Sequence, residues 1–221
     1  MWTEDFSLEI LRIIFKKKLW FRTVALDLET KVLREDAFLT NERLLGFSLA
    51  RRKSDNTIET ANLILEEDSD TSELVLLNKL NDYLKKWKPL LIVGYGCRDY
   101  DLPLLAVKKQ RAKLLNHSLW SISNILSGSI HIELADLSRY IFDKKYHEGR
   151  KYRSMLEVMN HKHFEDLPFI RSKTAVAPSK ERKGQEIYEL WKTKDPKFLR
   201  YLEGEAHDQL LIAERIRDTD I

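Results

Sequence analysis

The sequence has almost no cysteine and no long apolar run. It contains one cysteine, Cys97, among 221 residues, which excludes an internal disulfide and any zinc site built on cysteines. No apolar run approaches the roughly 20 residues that a membrane span requires. The apolar stretch 8–15 carries Glu9 and Arg12 inside it, whereas the centre of a secretory signal is uninterrupted. We therefore expect a cytoplasmic protein without membrane association, whose residues 1–20 form an amphipathic N-terminal helix.

Length and composition suit one α/β domain, because 43% of the residues are hydrophobic and can fill a sizeable core. The net charge is +3, but it is unevenly spread. Residues 139–183 hold twelve Lys or Arg and six Asp or Glu, so this segment carries +6 and the remainder −3. An acidic part joined to a basic segment suits a polyanion held against metal ions. The alternative is an ordinary solvated surface, which is common for Lys-rich loops.

Two acids stand in the run 23–30, which is typical of a buried strand. Asp27 and Glu29 are two residues apart, so they point the same way, with Cα atoms about 6.6 Å apart. Two carboxylates on a core strand repel each other and are costly to bury. A divalent cation between them would remove that cost. The alternative is a strand end whose acids face solvent.

A third acid follows another buried strand. Residues 90–96 form an apolar run that ends in Gly-Tyr-Gly, which predicts a strand followed by a turn. Pro103 suits the first turn of a helix. Asp101 therefore stands at or near the start of that helix, at the carboxyl end of the strand, where open α/β sheets place ligands. The alternative is that Asp101 is only an N-cap, a role for which Asp99 competes.

Hydrophobic periodicity predicts the remaining elements. The predicted helices cover 5–19, 72–87, 102–115, 136–142, 152–159, 185–191 and 196–216, and the predicted strands cover 21–29, 43–50, 57–65, 90–95 and 130–134. Three meandering strands followed by β-α-β-α predict a mixed sheet with helices on both faces. The basic stretch at about 166–184 predicts a long loop, a candidate lid or substrate clamp.

These motifs resemble a known family. The pair Asp27-Leu-Glu29 and Gly94-Tyr-Gly-Cys-Arg-Asp-Tyr-Asp101-Leu-Pro-Leu-Leu is similar to the first two motifs of the DEDD-type 3′–5′ exonucleases of the RNase H-like superfamily. Within them it most resembles the exonuclease domain of family B DNA polymerases and its stand-alone relatives. The resemblance runs from about Phe21 to Ile216. It implies an α/β fold in which 21–221 form a single domain around an RNase H-like mixed five-stranded sheet, with a three-stranded antiparallel meander plus parallel strands.

The third motif departs from the family's pattern. The family ends in a helix with a final Asp, preceded by a Tyr four residues earlier or a His five residues earlier. Here Tyr201 and Glu205 have the Tyr-type spacing with Glu in place of Asp, whereas Asp208 has the expected residue type. The three fall at i, i+4 and i+7 and share one helix face. We favour Asp208 for its residue type and keep Glu205 beside it.

The resemblance implies phosphodiester hydrolysis with two divalent ions. Oxygen ligands without cysteine indicate Mg²⁺ or Mn²⁺. Asp27 would bridge both ions, Glu29 would hold the ion that positions the attacking water, and Asp101 with the acid of the last helix would complete the set. Tyr201 is a candidate to orient that water, although a packed tyrosine is an equal alternative. Candidate phosphate contacts in the basic loop are Lys173, Lys180, Arg182 and Lys183.

Three functions are compatible with this resemblance. The first is a metal-dependent 3′–5′ exonuclease acting on single-stranded ends of DNA or RNA, with DNA and DNA repair favoured. The irregular third motif favours the second, a nucleic-acid-binding module with weak or lost catalysis in a replication or repair complex. The third is an RNase H-like endonuclease. The N-terminal helix is a candidate contact for a homo-oligomer or for a replication or repair partner. No base-stacking aromatic residue can be assigned from the sequence.

Overall fold

The computed structural model describes residues 8–13, 19–32, 39–142, 154–171 and 183–219, with the side chains of 32, 139–142 and 183–184 excepted. Residues 8–13 are helical (α1) and precede a 3-10 turn at Trp20–Arg22. The strands are β1 (Thr23–Val32), β2 (Glu42–Arg52), β3 (Ile58–Ile64), β4 (Leu91–Gly94) and β5 (Ile130–Glu133). The further helices are α2 (Asp70–Trp87), α3 (Asp101–Leu114), α4 (Trp120–Gly128), α5 (Leu134–Phe142), α6 (Met155–Met159), α7 (Lys183–Lys192) and α8 (Pro196–Asp218).

One five-stranded mixed sheet has the order β3-β2-β1-β4-β5. Strands β1, β2 and β3 form an antiparallel meander, whereas β4 pairs parallel to β1 and β5 pairs parallel to β4. The β2–β3 hairpin turns at Asn56, whose φ is 67°, and Asp55 accepts a hydrogen bond from the Thr57 N–H at 3.0 Å. The predicted α/β sheet, with its meander and its parallel strands, is confirmed.

Two apolar cores lie on the two faces of the sheet. Val24, Leu26 and Leu28 of β1 belong to the core that includes α2, α3, α4 and α7. Ala25 belongs to the core that includes α1, α5, α6 and much of α8. Because successive strand side chains point to opposite faces, Asp27 shares the face of Ala25. Helices therefore cover both faces, as predicted.

The described part of α1 packs onto this chain. Leu8 and Leu11 are buried in the second core, and the Arg12 guanidinium donates to the Thr219 carbonyl at 3.1 Å. Ile13 is 48% exposed. The two leucines thus serve the chain's own interior. A partner contact through the helix, like the division between 1–20 and 21–221, stays a prediction.

Two details differ from the sequence-based expectation, and the start of α3 agrees with it. Helix α4 was not predicted, although its Ile122 and Ile125 are buried. Strand β1 continues beyond Glu29 to Val32, through a register shift after Glu29, so its two acids lie within the strand. Helix α3 has Tyr100 at its N-cap position and Asp101 as its first residue. No helix among the described residues is long and apolar enough to cross a bilayer.

Candidate active site

Strand β1 presents two acids to helix α8. The register places Asp27 opposite Ser48 and Glu29 opposite Gly46 on β2. A Cβ on Gly46 would lie 2.7 Å from Leu202 Cδ1 of α8, so a larger residue would displace the Leu202 side chain that packs here. One helical turn after Leu202, the backbone N–H of Ala206 donates a hydrogen bond to Ser48 Oγ at 3.3 Å. These contacts fix α8 close above the acid-bearing part of β1.

Helix α8 directs three polar side chains, each one turn apart, to these acids. Gln209 Nε2 donates to Asp27 Oδ1 at 2.9 Å. Burial raises the pKa of the Tyr201 phenol well above its usual value, and the nearby negative charges of Glu29, Glu205 and Asp27 raise it further. Glu205 is 1% exposed and lies on the turn between these two residues. Glu205 therefore lies on the face of α8 that is turned to β1, between Gln209, which binds Asp27, and Tyr201, which is close to Glu29.

Asp101 joins the same cluster from α3. It is 4% exposed, and this burial raises its pKa well above the usual value. The charges of Asp27, Glu29 and Glu133 raise that pKa further, whereas a hydrogen bond from the Leu28 backbone lowers it. Leu28 stands between Asp27 and Glu29, so its backbone hydrogen bond holds Asp101 beside the acid-bearing part of β1.

The turn between β4 and α3 is built by close packing and by an acid from β5. A Cβ on Gly94 would lie 2.4 Å from the Cβ of Cys97, and Gly96 has a φ of 87°, which favours glycine. Glu133 accepts hydrogen bonds from the backbone N–H of Gly96 at 2.7 Å and of Arg98 at 3.2 Å. These two hydrogen bonds hold the turn that leads into α3. The role of Glu133 was not predicted, and its only sequence signal is an acid at the carboxyl end of a strand.

A second hydrogen-bond network connects β1 to the start of α3. Glu42 accepts a hydrogen bond from Thr30 Oγ1 at 2.8 Å and one from the Tyr100 hydroxyl. Thr30 directly follows Glu29, and Tyr100 directly precedes Asp101. The network therefore couples β1 to the start of α3, and with them the acids that these elements carry.

Asp208 lies on α8 but contacts a different part of the chain. Its Oδ1 accepts from the Ile170 N–H and its Oδ2 from the Arg171 N–H, both at 2.9 Å. The Nδ1 of His207 lies 2.9 Å from Oδ1. Both oxygens are thus bound to the first part of the predicted basic loop at about 166–184. This geometry favours Glu205 as the fourth acid, against the preference that residue type suggested, and the choice of ligand stays a prediction.

Most of the predicted phosphate contacts fall where the structure gives no placement. Lys173, Lys180 and Arg182 lie outside the described residues, and of Lys183 only the backbone is described, as the first residue of α7. Their contribution to nucleic-acid binding stays a prediction.

The chemistry of the acid cluster fits hard divalent cations. It offers only carboxylate oxygens, the donors that Mg²⁺ and Mn²⁺ prefer, and its acids repel each other until a cation compensates them. Among the described residues, no three His, Cys, Asp or Glu side chains converge closely enough to hold an ion as they lie. The candidate ligands are Asp27, Glu29, Asp101 and Glu205.

The comparisons with known proteins concern the fold. No protein-family model matches the chain, and no curated protein sequence matches it. The solved structure of the family B DNA polymerase from the hyperthermophilic archaeon Pyrobaculum calidifontis does match, with a TM-score of 0.56 over 87% of this chain at 18% identity. The chain therefore shares the fold of one part of that polymerase. The match spans 24% of the polymerase chain, and the matching sheet is consistent with the RNase H-like sheet that the motifs predict.

Proposed function

We propose that this chain is a metal-dependent 3′–5′ exonuclease that hydrolyses phosphodiester bonds at single-stranded nucleic-acid ends, with DNA as the favoured substrate. The observation that supports it most is the gathering of acids from three separate elements, β1, α3 and α8, at one place. A cluster of mutually repelling carboxylates is costly and is useful where a cation must be bound. The fold shared with part of that polymerase supports a nucleic-acid substrate.

The acids would hold two Mg²⁺ or Mn²⁺ ions, with Asp27 shared between them. When bound, such a pair activates water and stabilises charge on the attacking and leaving oxygens. The remaining residues position this site. Gln209 holds Asp27 through its 2.9 Å hydrogen bond, and Glu133 fixes the turn that leads to Asp101. Both are positioning residues.

Tyr201 contributes a neutral hydroxyl. Because burial and three acids raise its pKa, the phenol keeps its proton and can donate a hydrogen bond to the attacking water. Tyr201→Phe should keep the fold and reduce kcat by about 5–10-fold, as expected for one hydrogen bond of about 1 kcal/mol. An unchanged kcat would assign this residue to packing alone.

The two acids of α8 provide the decisive test, since each is 1% exposed and each has an isosteric amide. Glu205→Gln should reduce Mn²⁺-dependent nucleotide release from a 5′-labelled single strand by at least about 100-fold. A residue that only supports a metal ligand costs at most about that much when it is lost, so a direct ligand should cost more. Asp208→Asn should reduce the activity by no more than about 10–100-fold, the typical cost of losing a residue that supports a site without holding the ion. Full activity of Glu205→Gln would overturn the assignment.

The products distinguish the reaction classes. A 3′–5′ exonuclease shortens a 5′-labelled strand stepwise and leaves a circular single strand intact. Internal cuts in the circle would instead support an RNase H-like endonuclease and overturn the proposal.

A second candidate is a single-strand-binding module with weak or lost catalysis. One observation favours it: the buried acid of α8 that is not bound to the predicted basic loop is Glu205, whereas the family's pattern has Asp. A pure protein that binds single strands but releases no nucleotide in Mg²⁺ or Mn²⁺ would decide for this candidate.

A further inference from the structure

An open groove lies at the end of the sheet opposite the acids. Arg22, Pro89 and Ser129 line it, and each stands just before a parallel strand, β1, β4 or β5. Its volume is about 460 Å³, within the roughly 300–1,000 Å³ of ligand-binding sites. From Arg22 to Asp27 the chain runs five residues along β1, which is about 16 Å. The groove is therefore separate from the acid cluster.

The charged side chains that line the groove are all basic. They are Arg22, Lys85 and Lys88, and no acid lines it among the described residues. Arg22 Nε donates to the Lys88 carbonyl at 3.0 Å, which holds the guanidinium near the groove. The neighbouring Lys86, in contrast, faces away and pairs with Glu59 at 3.6 Å. A concave surface lined by one sign of charge attracts ligands of the opposite sign.

An exposed indole ring forms another part of the wall. Trp120, the first residue of α4, lines the groove and is 70% exposed, whereas Trp20 and Trp87 are at most 8% exposed. Exposed aromatic faces beside cations are the platforms on which proteins stack nucleic-acid bases. Asn124 and Ser127 line the same groove and add hydrogen-bonding groups.

We propose that this groove binds one nucleotide unit of a single-stranded nucleic acid. Trp120 stacks on the base, and Arg22, Lys85 and Lys88 contact the phosphates. A plain anion would leave the indole ring uncovered, and an apolar ligand would leave three cations unmatched, whereas a nucleotide satisfies both. At about 3.4 Å per stacked nucleotide, a strand that ends at the acids needs about five nucleotides to reach the groove.

Binding can be tested without cleavage, by the fluorescence anisotropy of labelled oligothymidylate in EDTA. Trp120→Ala should weaken binding by about 5–100-fold, the usual range for one stacked base, and Trp120→Phe should restore most of it. Lys85→Gln and Lys88→Gln should each lower the slope of log K against log salt by about one. The matched controls Lys113→Gln and Leu114→Ala, both exposed on α3 outside the groove, should bind like the wild type.

Further ligands identify the source of the nucleotide. A strand whose nucleotides are all abasic should bind without any dependence on Trp120, because it offers no base to stack. If thymidine monophosphate displaces the labelled oligothymidylate at micromolar concentration, the groove binds free nucleotides, and the proposal of a single-stranded ligand is overturned.

Equal affinities of the groove variants and the two control variants would overturn the inference. Equal competition by inorganic phosphate and by thymidine monophosphate would also overturn it, because the base would then not be recognised. The proposed hydrolysis is tested separately. If binding depends on Trp120 but no nucleotide is released, the groove stands and the exonuclease proposal fails.

Discussion

The chain contains two clusters of buried charge that are compensated in different ways. In the first, Lys108 Nζ lies 2.6 Å from the Glu73 carboxylate, and the Arg43 guanidinium lies 3.3 Å from the same group. In the second, the charges that act most strongly on Asp101 are those of other acids. The acid of the first cluster is compensated by cations of the chain itself. The acids of the second cluster are compensated by a proton, which the raised pKa of Asp101 favours, or by a cation from solution, and we assign function to the second cluster on this basis.

Removing the central cation of the compensated cluster should have the largest effect. Lys108 is 1% exposed, and Lys108→Met would leave Glu73 buried without its nearest cation. Breaking a buried pair in this way typically costs about 3–5 kcal/mol, measured as the free energy of unfolding in urea. The double variant Lys108→Met, Glu73→Met should recover much of that loss. A loss below about 1 kcal/mol would contradict the contrast between the two clusters, since surface pairs already reach that value.

Divalent ions should stabilise the chain through the acid cluster alone. At Mg²⁺ or Mn²⁺ concentrations of about 100 times Kd, the free energy of unfolding should rise by about 2.7 kcal/mol, and EDTA should reverse the change. Asp27→Asn should abolish the shift, whereas Lys108→Met should keep it from a lower starting stability. A wild-type protein with the same melting temperature in EDTA and in Mn²⁺ would refute metal binding at this cluster.

Without metal, the acid cluster should be a source of instability. Asp101→Asn removes the cost of burying an acid among other acids and keeps the side-chain shape, so the metal-free variant should melt higher than the wild type. A rise of about 2–4 °C corresponds to about 1 kcal/mol in a chain of this size. The same variant should lose Mn²⁺-dependent cleavage. A lower melting temperature in EDTA would indicate that Asp101 serves the fold instead.

Asp70, at the exposed edge of the Lys108–Glu73–Arg43 cluster, should contribute least to the free energy of unfolding. The Asp70 side chain is 84% exposed, and a hydrogen bond from Arg43, followed by its charge, lowers the pKa of this carboxyl. Asp70→Asn should therefore cost less than about 1 kcal/mol at pH 7. Because the folded pKa is depressed, the contribution is fully present above the usual pKa near 3.8 and is lost as the pH falls below it. A difference from wild type that grows on acidification would have the wrong sign.

Local backbone rules explain what the sequence could predict. The two-residue period of β1 puts Asp27 and Glu29 on one face whatever packs above them. Likewise, the glycines after β4 and Pro103 locate the start of α3 to within two residues, since each restricts the backbone directly. The sheet and the approximate positions of three acids follow from such rules.

Tertiary contacts explain what the sequence could not predict. Glu205 and Asp208 share one face of α8, so spacing alone cannot separate them, and only the backbone N–H groups of Ile170 and Arg171 reveal that Asp208 is engaged elsewhere. The role of Glu133 likewise depends on the pairing of β5 with β4. Helix α4 was missed because it has nine residues and no side-chain capping hydrogen bond.

Because Cys97 is buried in the turn between β4 and α3, the rate at which its thiol is labelled measures how often this turn opens. The thiol is 0% exposed, burial raises its pKa well above the usual value, and it is the chain's sole cysteine. An alkylating reagent reaches it only when this turn opens, so the labelling rate reports the frequency of opening. Because Asp101 is four residues further on, a cation captured by the acids should lengthen the labelling half-life in proportion to how firmly it holds the turn shut.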